Sequence, residues 1–237
     1  IKLFAKTHAT RHFGNRLEIL EDQWGAFVDG EAPGKADGQR IRVQARQIYT
    51  LRMALQFKWL DRPRAEEAIA RGAEFLISKY SRRSGAFIHS VDDGGATVSE
   101  VQDLYAQAFA LFGLASAFAV KPDPMYKTRA QSLLYYLRSE RRLPDGGYSE
   151  LRGGEVHFEA NPHMHLFEAA LAWMEIDQDP AWKALADEVL ELCLTKFIDA
   201  ASGALCEYFT PGWRPVIEGG LFVFEPGHHY EWALLIG

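Results

Sequence analysis

The chain has 237 residues, 48% hydrophobic and 24% charged, a balance that supports a buried core and argues against a disordered chain. Its formal net charge of -6 excludes a broad phosphate-neutralising surface, so no nucleic-acid partner is expected. Cys193 and Cys206 supply neither a disulfide framework nor a CxxC knuckle and suit a cytoplasmic setting, and no apolar run reaches the ~18 residues of a bilayer span, so no membrane partner is expected.

Taken in order, the predicted elements are helices of two alternating kinds. The segment RIRVQARQIYTL, with Arg40, Arg42 and Arg46, opens the series. Arg64 to Tyr80 follows as a one-striped amphipathic helix behind Pro63, then Leu104 to Phe118 (LYAQAFALFGLASAF), which is apolar nearly all round. Tyr126 to Leu137 behind Pro124 is again one-striped, Met164 to Met174 again apolar, and Trp182 to Phe197 behind Pro180 one-striped. A last apolar helix runs from Gly227 to Gly237. One-striped helices sit outside and all-apolar ones inside. The basic stretches Arg82-Arg83 and Arg138 to Arg142 read as solvated faces.

The alternation is an internal repeat. Aligning the inner helices places Arg46, Gln107, His165 and His228 in one register, with separations of 61, 58 and 63 residues. A second marker, Gly followed by a small and then an apolar residue, recurs at Gly85-Ala86-Phe87, Gly146-Gly147-Tyr148 and Gly203-Ala204-Leu205, separated by 61 and 57. A hairpin unit of this length is longer than the common short helical repeats. Stacked hairpins with one helix always inside give an open solenoid or a closed ring, and inner helices apolar all round with a few polar residues at matching positions favour the ring, an all-α (α/α) toroid whose axis is a pocket lined by inner-helix ends and loops. All 237 residues read as a single barrel domain, with the C-terminal part of the ring missing after Gly237.

Polar residues on helices that are otherwise apolar point to the chemistry, because burying them is costly without partners. Residues three apart share a helix face, so His165 with Glu168 and His228 with Glu231 are two candidate acid-base pairs. Arg46 lies in the same register, and a buried guanidinium would need an inner Glu or substrate oxygens. Asn161, in NPH, is either a substrate contact or a helix cap. His163 with His165, and the adjacent His228-His229, diverge too far on a helix to share one metal, so no metal site is expected. Tyr105, Tyr148, Tyr208, Trp213, Phe222 and Phe224 suit sugar stacking and a plain core equally. The Gly-rich turns lack a phosphate-loop context.

Together VQARQIYTL, DLYAQAFALFGLA, NPHMHLFEA and EPGHHYEWALL resemble the N-acylglucosamine 2-epimerase superfamily, from about residue 40 to the end. The resemblance implies an (α/α)6 barrel that needs no cofactor or metal. It also implies a small sugar as partner, with a homodimer among the assemblies open to it. The implied activity is 2-epimerisation or aldose-ketose isomerisation by proton transfer through a cis-enediolate. On this likeness His228 corresponds to the acid-base histidine, Glu231 to its companion carboxylate and His165 to the histidine that assists ring opening. Arg46, Asn161, Glu168 and Tyr105 correspond to substrate-binding positions. The family's second acid-base histidine lies on a later inner helix, so the 237 residues alone are expected to be inactive. A mannose-type hexose, free or phosphorylated, is favoured over a disaccharide. Two alternatives stand beside this reading: a glycoside hydrolase or lyase using Glu168 and Glu231, and a non-enzymatic binding protein.

Overall fold

The computed structural model describes residues 38 to 152 and 154 to 237. Four inner helices, α1 (Ile41–Gln56), α3 (Leu104–Val120), α5 (Ala160–Met174) and α7 (Pro226–Ile236), alternate with outer helices α2 (Arg62–Phe75), α4 (Pro124–Tyr136) and α6 (Pro180–Leu192). The two kinds occupy the layers that their sequence patterns predict. Between Leu104 and Ala117 α3 buries every residue except Tyr105, whereas α2, α4 and α6 bury one stripe each. Asp61, Asp103, Asp123 and Asp179 start α2, α3, α4 and α6 by accepting a hydrogen bond from a first-turn amide. Gly113 lets α1 and α3 touch, because a Cβ there would lie 3.0 Å from that of Ala45.

Three departures from the sequence reading stand out. Each outer helix widens into a π turn, at Leu76–Tyr80, Leu137–Arg141 and Cys193–Phe197, and then reverses through an isolated bridge: Ser81 with Phe87, Arg142 with Tyr148, Ile198 with Leu205. The loops toward the inner helices also form two antiparallel sheets: β1 (Gln39–Arg40), β2 (Ser90–Val91) and β3 (Thr97–Ser99), then β4 (Glu150–Arg152), β5 (Glu155–Glu159), β6 (Tyr208–Thr210) and β7 (Arg214–Pro215). Strands of two to five residues are too short to show a period of two in sequence. Finally, Arg141 is buried rather than solvated, because the Ser149 carbonyl at 2.8 Å and the Tyr136 hydroxyl at 3.3 Å accept from its guanidinium.

Candidate active site

The hydrogen bonds of the loops set the register of the ring. Gln107 donates to the carbonyl four residues back, at Asp103, and accepts from the amide of Phe87 at 2.8 Å. His163 does the same with the Glu159 carbonyl and the Tyr148 amide, at 2.8 and 3.0 Å. His229 repeats it with the Glu225 carbonyl and the Leu205 amide, at 3.0 and 2.8 Å. Phe87, Tyr148 and Leu205 are the apolar residues of the Gly-small-apolar marker. Gln107, His163 and His229 are therefore equivalent. Gln44, fully buried and followed by Ala as Gln107 is, extends the series to α1.

This corrects the alignment of Gln107, His165 and His228 with one another. Two residues before the anchors lies a mouth layer of Arg42, Tyr105, Asn161 and Gly227, all in first helical turns. Two residues after them lies a deeper layer of Arg46, Phe109, His165 and Glu231. His228 thus belongs to the mouth, one turn nearer the loops than His165. Arg46 and His165 do share a register. The sequence alignment failed because both α5 and α7 carry two histidines, and only one of each pair is the anchor.

In the deeper layer the predicted residues converge. The Nδ1 of His165 meets Oε2 of Glu168 at 3.0 Å, and its ring packs 4.7 Å from Phe109 and 5.1 Å from Tyr105, centroid to centroid. The Arg46 guanidinium lies 4.6 Å over Phe109 and donates to the Tyr105 hydroxyl at 3.4 Å. Among the described residues Arg46 is exposed rather than buried, and it meets a ring face and a hydroxyl, not a carboxylate. Tyr49 closes the floor; burial first, and the nearby Glu168 charge second, push its hydroxyl above the ordinary range.

At the mouth a cleft of about 340 Å³ is lined by Arg152, Glu159, Asn161, Glu207, Tyr208, Glu225 and His228. His228 is half-buried, and its Nδ1 pairs with Oε1 of Glu207 at 2.9 Å. The carboxylate that touches His228 is therefore Glu207. Glu231 is exposed. A carboxylate on Nδ1 fixes the tautomer and leaves Nε2 for a reacting atom. Burial pushes the Glu207 carboxyl up, against the lowering by His228.

Asn161 has its Oδ1 buried without a partner and faces this cleft, while the cap position before α5 is occupied by Glu159. Helix capping is thus not the role of Asn161. Arg152 pairs with Glu159 and approaches the buried Glu150, whose carboxyl is pushed up to about 7 by burial and then by the Asp103 charge. Tyr148, Trp213 and Phe209 pack around His163 and Phe197, with Phe158 against Trp213, so Tyr148 and Trp213 are core residues rather than sugar platforms. Among the described residues no cluster of three metal-ligating side chains occurs.

Sequence reasoning missed Glu207, Glu150, Arg152 and Arg42. Glu207 and Glu150 each stand two residues beyond the apolar residue of the marker, as does His89, which pairs with Asp103 at 2.7 Å. Extending the marker by two residues would have found them.

Residues 25 to 237 match the family model described as N-acylglucosamine 2-epimerase. The chain is 34% identical over 228 residues to a protein named mannose-6-phosphate isomerase from Rhizobium meliloti (strain 1021), covering 93% of this chain and 58% of that one. It is 25% identical over 171 residues to a protein named D-mannose isomerase from Pseudomonas cannabina pv. alisalensis, covering 66% and 40%. Among solved structures, cellobiose 2-epimerase from Spirochaeta thermophila DSM 6192 superposes with a TM-score of 0.81 at 23% identity, over 99% of this chain and 63% of that one. The chain therefore spans between 40% and 63% of the length of these relatives, and the likeness to the solved structure shows the (α/α)6 toroid.

Proposed function

Because the chain belongs to the N-acylglucosamine 2-epimerase family, we propose that its inner face forms part of the active site of a sugar isomerase or epimerase working between C1 and C2 of a mannose-type hexose. The observation that carries this reading is the His228–Glu207 pair, at 2.9 Å, at a cleft that also holds an unpartnered Asn161 oxygen. Proton abstraction next to a carbonyl needs a base active near neutrality, which an imidazole held through Nδ1 supplies at Nε2. It also needs a donor for the enediolate oxygens, a task that suits Arg46 on α1, while the Asn161 oxygen on α5 can accept from a sugar hydroxyl.

In this reading His228 takes the C2 proton. The imidazolium exchanges that proton with solvent; protonation of C1, with the O2 proton passing to O1, then yields the ketose, and protonation of the other face of C2 by a second acid yields the epimer. His165, steadied by Glu168, serves ring opening one layer down, and Tyr105 positions Arg46 through its hydroxyl. Glu231, at the ring position equivalent to His165, is exposed and is left as a further polar group for the substrate. The hydrolase alternative is disfavoured because Glu168 is engaged by His165.

The test uses the full-length protein with a panel of aldoses in deuterium oxide. Solvent deuterium at C2 of recovered epimer, or at C1 of the ketose formed, is expected for one hexose. Turnover with no solvent label would instead indicate hydride transfer and remove His228 as the base.

A further inference from the structure

The mouth layer contains one charged side chain that the proposed reaction leaves unused. Arg42 stands in the first turn of α1, at the ring position that Tyr105 and Asn161 occupy on α3 and α5. Its guanidinium lies 5.9 Å from the Tyr105 ring centroid, and no acidic residue shares its first turn. Among the described residues neither Arg42 nor Arg46 meets a carboxylate, although Arg52, Arg62, Arg82, Arg142 and Arg152 all do. Two guanidiniums one turn apart, each resting on an aromatic face, form a cationic edge that no carboxylate among the described residues neutralises.

We propose that Arg42 is a specificity-determining residue that binds an anionic group, a phosphate, at the far end of the sugar from its carbonyl. The inference rests on the reading of the site as a hexose isomerase and names its substrate class, a hexose 6-phosphate. Arg42 and Arg46 are separated by about 6 Å along the helix axis, one turn, which is comparable with the reach from the carbonyl end of a hexose to a phosphate on C6. The rest of the mouth enforces the orientation. Glu159, Glu207 and Glu225 line the cleft at His228, where a phosphate would be repelled, and Arg152 there is already paired with Glu159. Only the α1 side of the described mouth offers a planar donor fork without a carboxylate. The first-turn amides of α1 add favourable potential for an anion at the same end.

The experiment compares mannose with mannose 6-phosphate in the full-length protein, unmodified and as Arg42→Met. Met keeps the packing on Tyr105 and removes the charge. Calorimetric binding is measured beside turnover, so that the anion site is tested even if no isomerisation occurs. The unmodified protein is expected to bind and turn over the phosphorylated sugar better. Arg42→Met is expected to reduce that preference by about tenfold or more, the scale of one charge-assisted contact. A preference for unphosphorylated mannose, or an equal loss for both sugars, would overturn the inference. Turnover of neither sugar, with phosphate-dependent binding still lost in Arg42→Met, would uphold the anion site and count against the isomerase reading instead.

Discussion

Helices α5 and α7 each carry two histidines within their first two turns, and the two pairs are used in opposite order. On α5 the earlier one, His163, is the buried anchor and the later, His165, faces the ring. On α7 the earlier one, His228, faces the cleft and the later, His229, is the anchor. The same side chain thus plays two roles set by its partners. An anchor has both ring nitrogens engaged by backbone, which leaves no nitrogen for a substrate. A histidine held on one side by a carboxylate keeps the other nitrogen free. Gln107, doing the anchor's work on α3, shows that this task does not require an imidazole.

Substitutions that separate the two roles test the distinction. His228→Ala in the full-length protein is expected to lower kcat by about 10² to 10⁴, the usual share of a general acid-base group, with the thermal midpoint nearly unchanged. His163→Ala should do the reverse. It strands the Tyr148 amide and the Glu159 carbonyl and opens a cavity, costing about 3 kcal/mol in denaturant unfolding. If His228→Ala unfolded the protein and His163→Ala did not, the assignment of anchors would be reversed. Glu207→Gln is expected to lower kcat about ten- to a hundredfold, as happens when an imidazole loses the carboxylate that orients it, while Glu231→Gln changes it less. Equal losses from the two would place Glu231, not Glu207, beside the reacting histidine.

How far the sequence revealed this site depends on distance along the chain. The inner and outer helices were legible because their apolar patterns are long and Pro63, Pro124 and Pro180 mark the starts of the outer ones. His165 with Glu168 was legible because three residues on one helix fix a contact almost by themselves. By the same local rule Glu231 was assigned to His228, and there it failed. Glu207, 21 residues away and just before the strand Tyr208 begins, reaches His228 through the fold of a loop that no local periodicity encodes. The burial of Arg141 escaped for a related reason, since a basic run hides which member turns inward.

The smallest effect concerns acid stability, and it pits the anchor His163 against the buried Glu150. Burial holds His163 down at about 4 from an ordinary 6.5, and holds Glu150 up at about 7 from 4.5. Between pH 4.5 and 6.5 the unfolded chain binds the His163 proton that the folded protein refuses, so this group makes stability rise with pH. In the same window the folded protein keeps the Glu150 proton that the unfolded chain releases, so this group makes stability fall with pH. Each slope approaches about 1.4 kcal/mol per pH unit, and the two largely cancel. His163→Gln, which keeps the anchor's hydrogen bonds as Gln107 does, should leave a stability that declines more steeply as pH rises than in the unmodified protein. Glu150→Gln should leave one that climbs more steeply. Urea midpoints at pH 4.5, 5.5 and 6.5 measure both differences. A His163→Gln profile parallel to that of the unmodified protein would mean that the imidazole is not held neutral by burial, and the contrast between α5 and α7 would then rest on hydrogen bonding alone.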